Sequence, residues 1–260
     1  MLLVKNKLAR QVFGLLETAN LLSLKLLFHN RSALRTYPGA VFREYMRLAR
    51  RGKWVSMGVL ELFPEVQQTR IVLEHMAGHG IYTPLDELAY LALITKALEP
   101  RSIFEIGTFR GRTALNFALN SPADCRVFTI DLPPEGREQL SRDLGAADRG
   151  IVRASDTGVD YRGKDVATKI EQLFGDSNAF DFSPYFGQID LVFVDGAHDY
   201  RSVRNDSANA RRMIRAGGVI VWHDFANYGD YNDVTRAVLD LFPPSRIVQI
   251  ENSQLAVYRS

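Results

Sequence analysis

The stretch Ser102-Ile-Phe-Glu-Ile-Gly-Thr-Phe-Arg-Gly-Arg-Thr113 contains the pattern that decides the fold. A short apolar run ends at Gly107, and a helical sequence begins at Gly111. Glycine lets the backbone turn tightly and leaves room for a ligand, while free N–H groups at a helix N-terminus favour a carboxylate or phosphate. The stretch therefore predicts a strand–turn–helix unit with a ligand-binding turn.

Further apolar runs follow this unit, separated by helical sequences. Runs of this length are typical of strands buried on both faces, and intervening helices make the sheet parallel. The last two runs are joined by a short polar turn and predict an antiparallel hairpin. The predicted strands are Arg126–Ile130, Ile170–Phe174, Ile189–Val194 and Val219–Trp222, and the predicted hairpin pairs Arg246–Ile250 with Gln254–Tyr258. We therefore predict an α/β, Rossmann-like fold.

Polar residues gather where these predicted strands end. In an open parallel sheet, ligands bind beyond the carboxyl ends of the strands, so these side chains should share one edge. A solvated loop aspartate, or a histidine with a structural hydrogen bond, explains each of them singly but explains the whole set poorly. They are Glu105, Asp131, Asp195, His198, His223 and Asp224.

Residues after two of the predicted strands indicate parts of a nucleoside. Asp131, directly after the second strand, can accept hydrogen bonds from ribose hydroxyls. Asp176 and Ser177, after the third strand, are placed to meet an adenine amino group. A dinucleotide fingerprint needs glycine where this chain has Phe109, which argues against a pyrophosphate and against a nicotinamide oxidoreductase.

The runs E-I-G-T-F-R-G, T-I-D, G-D-S, F-V-D-G-A-H-D-Y and A-G-G-V-I-V-W-H-D-F stand in this order between Glu105 and Phe225. In this order the chain resembles class I S-adenosylmethionine-dependent methyltransferases from about Pro84 onward, most of all a bacterial group with D-G-x-H-x-Y and H-D strand ends and the metal-dependent small-molecule O-methyltransferases. The resemblance implies a seven-stranded, mostly parallel sheet with a C-terminal antiparallel hairpin.

The resemblance also implies the cofactor S-adenosylmethionine and its contacts. Glu105 and Gly107 would flank the methionine part, Asp131 would hold the ribose, and Asp176 with Ser177 would meet the adenine, with Asp156 as the rival for that contact. The full set of predicted cofactor-binding residues is Glu105, Gly107, Thr108, Gly111, Asp131, Asp176, Ser177 and Asp195.

A hydroxyl that accepts a methyl group needs a base that takes its proton or a metal ion that lowers its pKa. Asp195, His223 and Asp224 offer two carboxylates and an imidazole at neighbouring strand ends, a set that suits Mg²⁺ or Mn²⁺. His198 is the predicted general base, because the unperturbed pKa of histidine lies near neutrality, and Asp195 is the second predicted catalytic residue.

The charge distribution predicts two parts. Residues 1–53 hold 11 Lys and Arg residues against 2 acids, so they are strongly basic. The net charge of the whole chain is only +2, so the remaining residues are acidic. We predict a basic helical extension over residues 1–80 and the S-adenosylmethionine-binding domain over residues 81–260. Leu2–Phe28 has helical spacing of apolar residues, so it either packs on the body or a second copy, giving a homo-oligomer, or lies on a membrane surface.

The expected function is methylation of a small-molecule hydroxyl, metal-assisted in one version, with no nucleic acid partner. A single cysteine, Cys125, fits a reducing cytoplasm, and peripheral membrane contact remains an alternative location. No apolar run is long enough for a transmembrane helix. The rival functions are a cofactor-binding or membrane-surface scaffold without turnover and a nicotinamide oxidoreductase.

Overall fold

The computed structural model describes residues 54–76, 82–135, 137–140, 144–154, 156–226 and 232–260. From Trp54 onward the chain belongs to one compact unit. The predicted amphipathic helix Leu2–Phe28 lies outside the described residues. Within the described ranges, no helix is both long and apolar enough to cross a bilayer.

Strands and helices alternate along most of the described chain. The helices are α1 (Val59–Leu62), α2 (Leu85–Leu98), α3 (Arg112–Asn120), α4 (Arg137–Leu140), α5 (Ala146–Ala154), α6 (Tyr200–Met213) and α7 (Asn232–Leu241). The strands are β1 (Val55–Met57), β2 (Ser102–Ile106), β3 (Arg126–Asp131), β4 (Ile170–Phe174), β5 (Ile189–Val194), β6 (Ile214–Trp222), β7 (Val248–Ile250) and β8 (Ala256–Arg259).

The described strands form one sheet in the order β1-β7-β8-β6-β5-β2-β3-β4. Strand β8 runs antiparallel to both β6 and β7, and the other pairs are parallel. The predicted Rossmann-like sheet with its C-terminal hairpin is confirmed. The sheet has eight strands where the resemblance implied seven, because β1 pairs with β7. Strand β1 lies inside the stretch assigned to the extension, whose boundary at residue 80 stays a prediction.

Alternate residues of the central strands fill two hydrophobic clusters, as expected for strands covered on both faces. Phe104, Val192 and Trp222 belong to the cluster that includes α6 and α7. Their neighbours Ile103 and Phe193 belong to the cluster that includes α2 and α3. This alternation fixes the register, because a slip by one residue would exchange the two faces.

The register also positions the edge where the predicted site lies. Ile106 pairs with Ile130 and with Val194, and Val194 pairs with Trp222. These four residues form one row across the sheet, where β2, β5 and β6 end and β3 has one residue left. The residues that follow form the next row across the sheet, in the order His223, Asp195, Gly107 and Asp131.

Candidate functional site

A cavity of about 700 Å³ opens at this edge of the sheet. Two predicted cofactor residues lie behind its wall instead of lining it: the Glu105 side chain is buried, and Gly111 packs against Tyr161. The other predicted cofactor and catalytic residues and the predicted metal ligands line it together. They are Gly107, Thr108, Asp131, Asp176, Ser177, Asp195, His198, His223 and Asp224.

The glycine turn needs glycine for two separate reasons. Gly107 has a φ of +101°, and a Cβ on it would lie 2.1 Å from the carbonyl oxygen of Asp195. Gly111 has a φ of +85°, and a Cβ there would lie 2.4 Å from the ring of Tyr161. Both residues therefore combine a left-handed backbone with a close approach that a side chain would prevent.

Asp131 fastens this turn from the neighbouring strand. One carboxylate oxygen accepts the backbone N–H of Phe109 at 2.6 Å, and the other accepts that of Leu132 at 2.7 Å. Burial raises the pKa of Asp131, and these two N–H groups oppose that rise. The carboxylate thus lines the cavity with a fixed orientation.

A buried hydrogen-bond chain lies behind the turn and ends at Glu105. Tyr161 donates to Gln172 at 2.6 Å, and the Gln172 amide donates to Thr108 at 3.1 Å. The Thr108 and Thr129 hydroxyls are 2.7 Å apart, and Thr129 donates to Glu105 at 2.5 Å. Burial raises the pKa of Glu105 well above its usual value, while the Thr129 hydroxyl favours the ionised form.

The adenine side of the predicted site is held by α6. The Asn205 amide donates to the carbonyl oxygen of Ser177 at 3.0 Å. The Asp176 carboxylate accepts the backbone N–H of Asn178 at 2.9 Å and lines the cavity. The rival residue Asp156 is exposed and pairs with Arg162.

The opposite side of the cavity carries a continuous chain of acids and imidazoles. Glu87 lies 2.7 Å from Nε2 of His223, whose Nδ1 lies 2.9 Å from Asp224. The same Asp224 oxygen lies 2.9 Å from Nε2 of His198, whose Nδ1 lies 2.7 Å from Asp148. The chain therefore joins five residues from four separate parts of the sequence.

The carboxylates control the charge on both rings. Burial alone would lower the pKa of His198, but Asp148 and Asp224 outweigh it and raise the pKa to about 10. Burial opposes protonation of His223 as well, yet Asp195 and its other acidic neighbours raise its pKa well above the usual value. Each ring has a carboxylate oxygen near both of its nitrogens, an arrangement that favours the doubly protonated form, and His198 in that form has no lone pair to accept a proton.

A cation could occupy the same place. Among the described residues, Asp195, His198 and Asp224 bring ligand atoms within 4.8 Å of one another. The predicted metal set had His223 where this group has His198. The Nδ1 atom of His223 nevertheless lies 3.1 Å from Asp195, so the two rings flank one pair of aspartates.

The sequence pattern did not indicate two members of this acid–imidazole chain, Glu87 and Asp148. Glu87 lies in the first turn of α2, a place where any acid is favoured by the helix dipole, so its position alone did not indicate a site. Asp148 lies in the long connection between β3 and β4, far from His198 in sequence. No local pattern marks either contact.

Residues 104–225 match a family model described as a methyltransferase domain. Among curated proteins, the chain is 25% identical over 150 residues to a caffeoyl-CoA O-methyltransferase from Populus kitakamiensis, covering 58% of this chain and 57% of that protein. It is 28% identical over 152 residues to a tRNA N(3)-methylcytidine methyltransferase from Drosophila melanogaster, covering 58% of this chain and 42% of that protein.

The chain thus spans about half the length of the curated relatives it matches. A solved structure described as a putative caffeoyl-CoA O-methyltransferase from Staphylococcus aureus shares the fold. Its TM-score is 0.51 at 15% identity, over 85% of this chain and 99% of that chain. This likeness concerns the fold alone.

Proposed function

We propose that this protein is an S-adenosylmethionine-dependent methyltransferase that methylates a hydroxyl group of a small molecule. The observation that carries the proposal is the meeting of two different sets of residues in one cavity. A glycine turn with Asp131 faces it on one side, and the acid–imidazole chain faces it on the other. The match to a methyltransferase domain and the caffeoyl-CoA O-methyltransferase relatives support the reaction type.

The roles on the cofactor side follow from which residues line the cavity. Asp131 would hold the ribose hydroxyls, and Asp176 with Ser177 would meet the adenine. Gly107 would let the methionine part pass close to the backbone, while Glu105 would support the turn from behind through Thr129 and Thr108. The Phe109 ring packs edge-on against Tyr82 at 5.4 Å, in the place where a dinucleotide needs glycine. This packing favours S-adenosylmethionine over a nicotinamide cofactor.

The side of the cavity that carries the acid–imidazole chain, here the acceptor side, would orient and deprotonate a hydroxyl. Methyl transfer from a sulfonium is an in-line displacement, so much of the catalysis is alignment of the hydroxyl with the methyl group. His198 is the proposed proton acceptor, and it can act only when Nε2 carries no proton. A cation bound to Asp224 would draw that carboxylate away from His198 and place a positive charge beside the ring, and both changes would lower the pKa of His198.

The residues fit a divalent cation. Four carboxyl groups, from Glu87, Asp148, Asp195 and Asp224, surround two imidazoles, so the acidic side chains outnumber the basic ones by two. Asp195, His223 and Asp224 would hold the ion, which leaves Nε2 of His198 to accept the proton of the hydroxyl. One imidazole among carboxylates suits Mn²⁺ better than Mg²⁺, which prefers oxygen ligands. When bound, such an ion supplies Lewis-acid stabilisation to an acceptor oxygen.

Calorimetry tests the cofactor assignment. We expect S-adenosylhomocysteine to bind in the micromolar range, about −8 kcal/mol, and NADH not to bind under the same conditions. Binding of NADH in place of S-adenosylhomocysteine would favour an oxidoreductase. Binding of S-adenosylhomocysteine without methyl transfer to any of a panel of phenols, catechols and sugars would favour a scaffold without turnover.

Titration with Mn²⁺, followed by electron paramagnetic resonance, tests the metal assignment without any acceptor. We expect one bound ion per chain, and a loss of at least about tenfold in affinity for Asp224→Asn, because one anionic ligand becomes neutral. The same variant should bind S-adenosylhomocysteine as the wild type does. Equal Mn²⁺ affinity of the two proteins would contradict the metal assignment and leave the cofactor assignment standing.

A further inference from the structure

Helix α5 forms part of the cavity wall, and its described residues contribute nothing to the hydrophobic clusters of the sheet. Leu144, Asp148, Ile151 and Val152 line the cavity, and the last three share one face of the helix. Ile151 and Val152 are half-buried. Among the described residues, none of α5 belongs to either hydrophobic cluster of the sheet. Its apolar face is therefore turned towards the cavity.

Asp148 fastens this face to the loop after β5. One carboxylate oxygen accepts the backbone N–H of His198 at 3.1 Å, and the other lies 2.7 Å from its ring Nδ1. Two contacts to one residue fix the direction of the ring as well as the position of the loop. The Asp148 side chain is 8% exposed and that of His198 is 13% exposed, so water competes little with either contact.

We propose that α5 is a cover over the cofactor cavity and that Asp148 is a positioning residue, which couples closure of this cover to the orientation of His198. The inference rests on the proposed function, because it takes the cavity as the S-adenosylmethionine site and His198 as its proton acceptor. The imidazole then points Nε2 towards Asp224 and the cavity only when α5 lies in place.

This coupling has a consequence for the order of events. A ligand of the cavity contacts the apolar face of α5, so binding favours the covered state. The covered state is the one in which Asp148 holds Nδ1 of His198. The acceptor side is thus assembled after the cofactor is enclosed, which keeps the reacting methyl group away from water.

Stopped-flow fluorescence with S-adenosylhomocysteine as the probe tests the cover. Asp148→Asn removes one charge from the contact while keeping an acceptor for the N–H, and we expect dissociation about tenfold faster. Asp165→Asn, an exposed aspartate on the same connection between β3 and β4, is the matched control and should keep the wild-type rate. Equal rates for Asp148→Asn and the wild type would overturn the proposal.

A double-mutant cycle tests the coupling to His198. In a His198→Gln background, Asp148→Asn should accelerate dissociation by less than about twofold, since its partner ring is already absent. Additive effects of the two substitutions would show that Asp148 acts only on the structure of α5, and would overturn the positioning role.

Trypsin digestion provides a measurement on the wild type alone, should Asp148→Asn fail to fold. Arg149 and Arg153 lie on α5. We expect S-adenosylhomocysteine to slow cleavage after these two residues at least about threefold more than cleavage after Arg236 on α7, as local opening of α5 becomes rarer. Equal protection at all three sites would overturn the cover. Failure of S-adenosylhomocysteine to bind the wild type at all would instead overturn the proposed function.

Discussion

The two sides of the cavity are built in different ways. The cofactor side is made by consecutive residues: a strand, a glycine turn and the acid that follows the neighbouring strand, with Phe109 and Leu132 giving backbone N–H groups to Asp131. The acceptor side is made by side chains from distant parts of the chain, with Glu87 and Asp148 each meeting a histidine. One side depends on backbone shape and the other on the balance of charge.

The cofactor side should tolerate a change of its backbone conformation less than any other change. Gly107→Ala should lower the free energy of unfolding by more than about 3 kcal/mol, because a left-handed φ and a clash with a backbone carbonyl add together. Gly163→Ala is the matched control, since Gly163 also has a positive φ, +76°, but open space around it. We expect Gly163→Ala to lower the free energy of unfolding by about 1–2 kcal/mol. Urea unfolding measures both, and equal losses would show that the close approach is unimportant.

The acceptor side should respond most to loss of charge. Glu87→Gln should destabilise the protein by about 1.5–3 kcal/mol, because a charged partner of His223 becomes neutral inside the protein. Asp86→Asn changes the neighbouring, exposed acid in the same helical turn. It should cost less than about 1 kcal/mol, the value of a helix-dipole interaction. Similar losses in the two variants would reduce Glu87 to a helix-dipole residue.

On the cofactor side, Asp131 both holds the backbone of the glycine turn and offers a carboxylate to the cavity. Asp131→Ala should weaken S-adenosylhomocysteine binding at least about tenfold, because a charged acceptor for the ribose hydroxyls is lost. Asp124→Ala, an exposed acid after α3, serves as the control and should leave the affinity unchanged. Calorimetry measures both variants. An unchanged affinity in Asp131→Ala would remove the ribose assignment.

The smallest effect is expected from pH. Because the pKa of His198 is raised from 6.5 to about 10 in the folded protein, its stabilisation is complete below pH 6.5 and is lost as pH rises towards 10. In EDTA, the free energy of unfolding should fall by at least about 1 kcal/mol more between pH 7 and 10 in the wild type than in His198→Gln. Parallel pH profiles would mean that the carboxylates around His198 do not hold it protonated.

The same division separates what could be predicted from sequence. Apolar runs bounded by glycine predicted the sheet, the terminal hairpin and the cavity-lining positions Gly107, Asp131 and Asp195, because the carboxyl ends of parallel strands share an edge. Strand β1 escaped prediction because three residues are too short for a periodic signal, and its pairing with β7 spans most of the chain.

The sequence was enough to predict which strand ends share the edge, because the carboxyl ends of parallel strands lie together. Only the tertiary structure decided which charges meet there. Contacts such as Glu87 with His223 and Asp148 with His198 depend on how α2 and α5 pack across the sheet edge. Side-chain pairs so far apart in sequence leave no periodic trace, because nothing in the local backbone requires either partner.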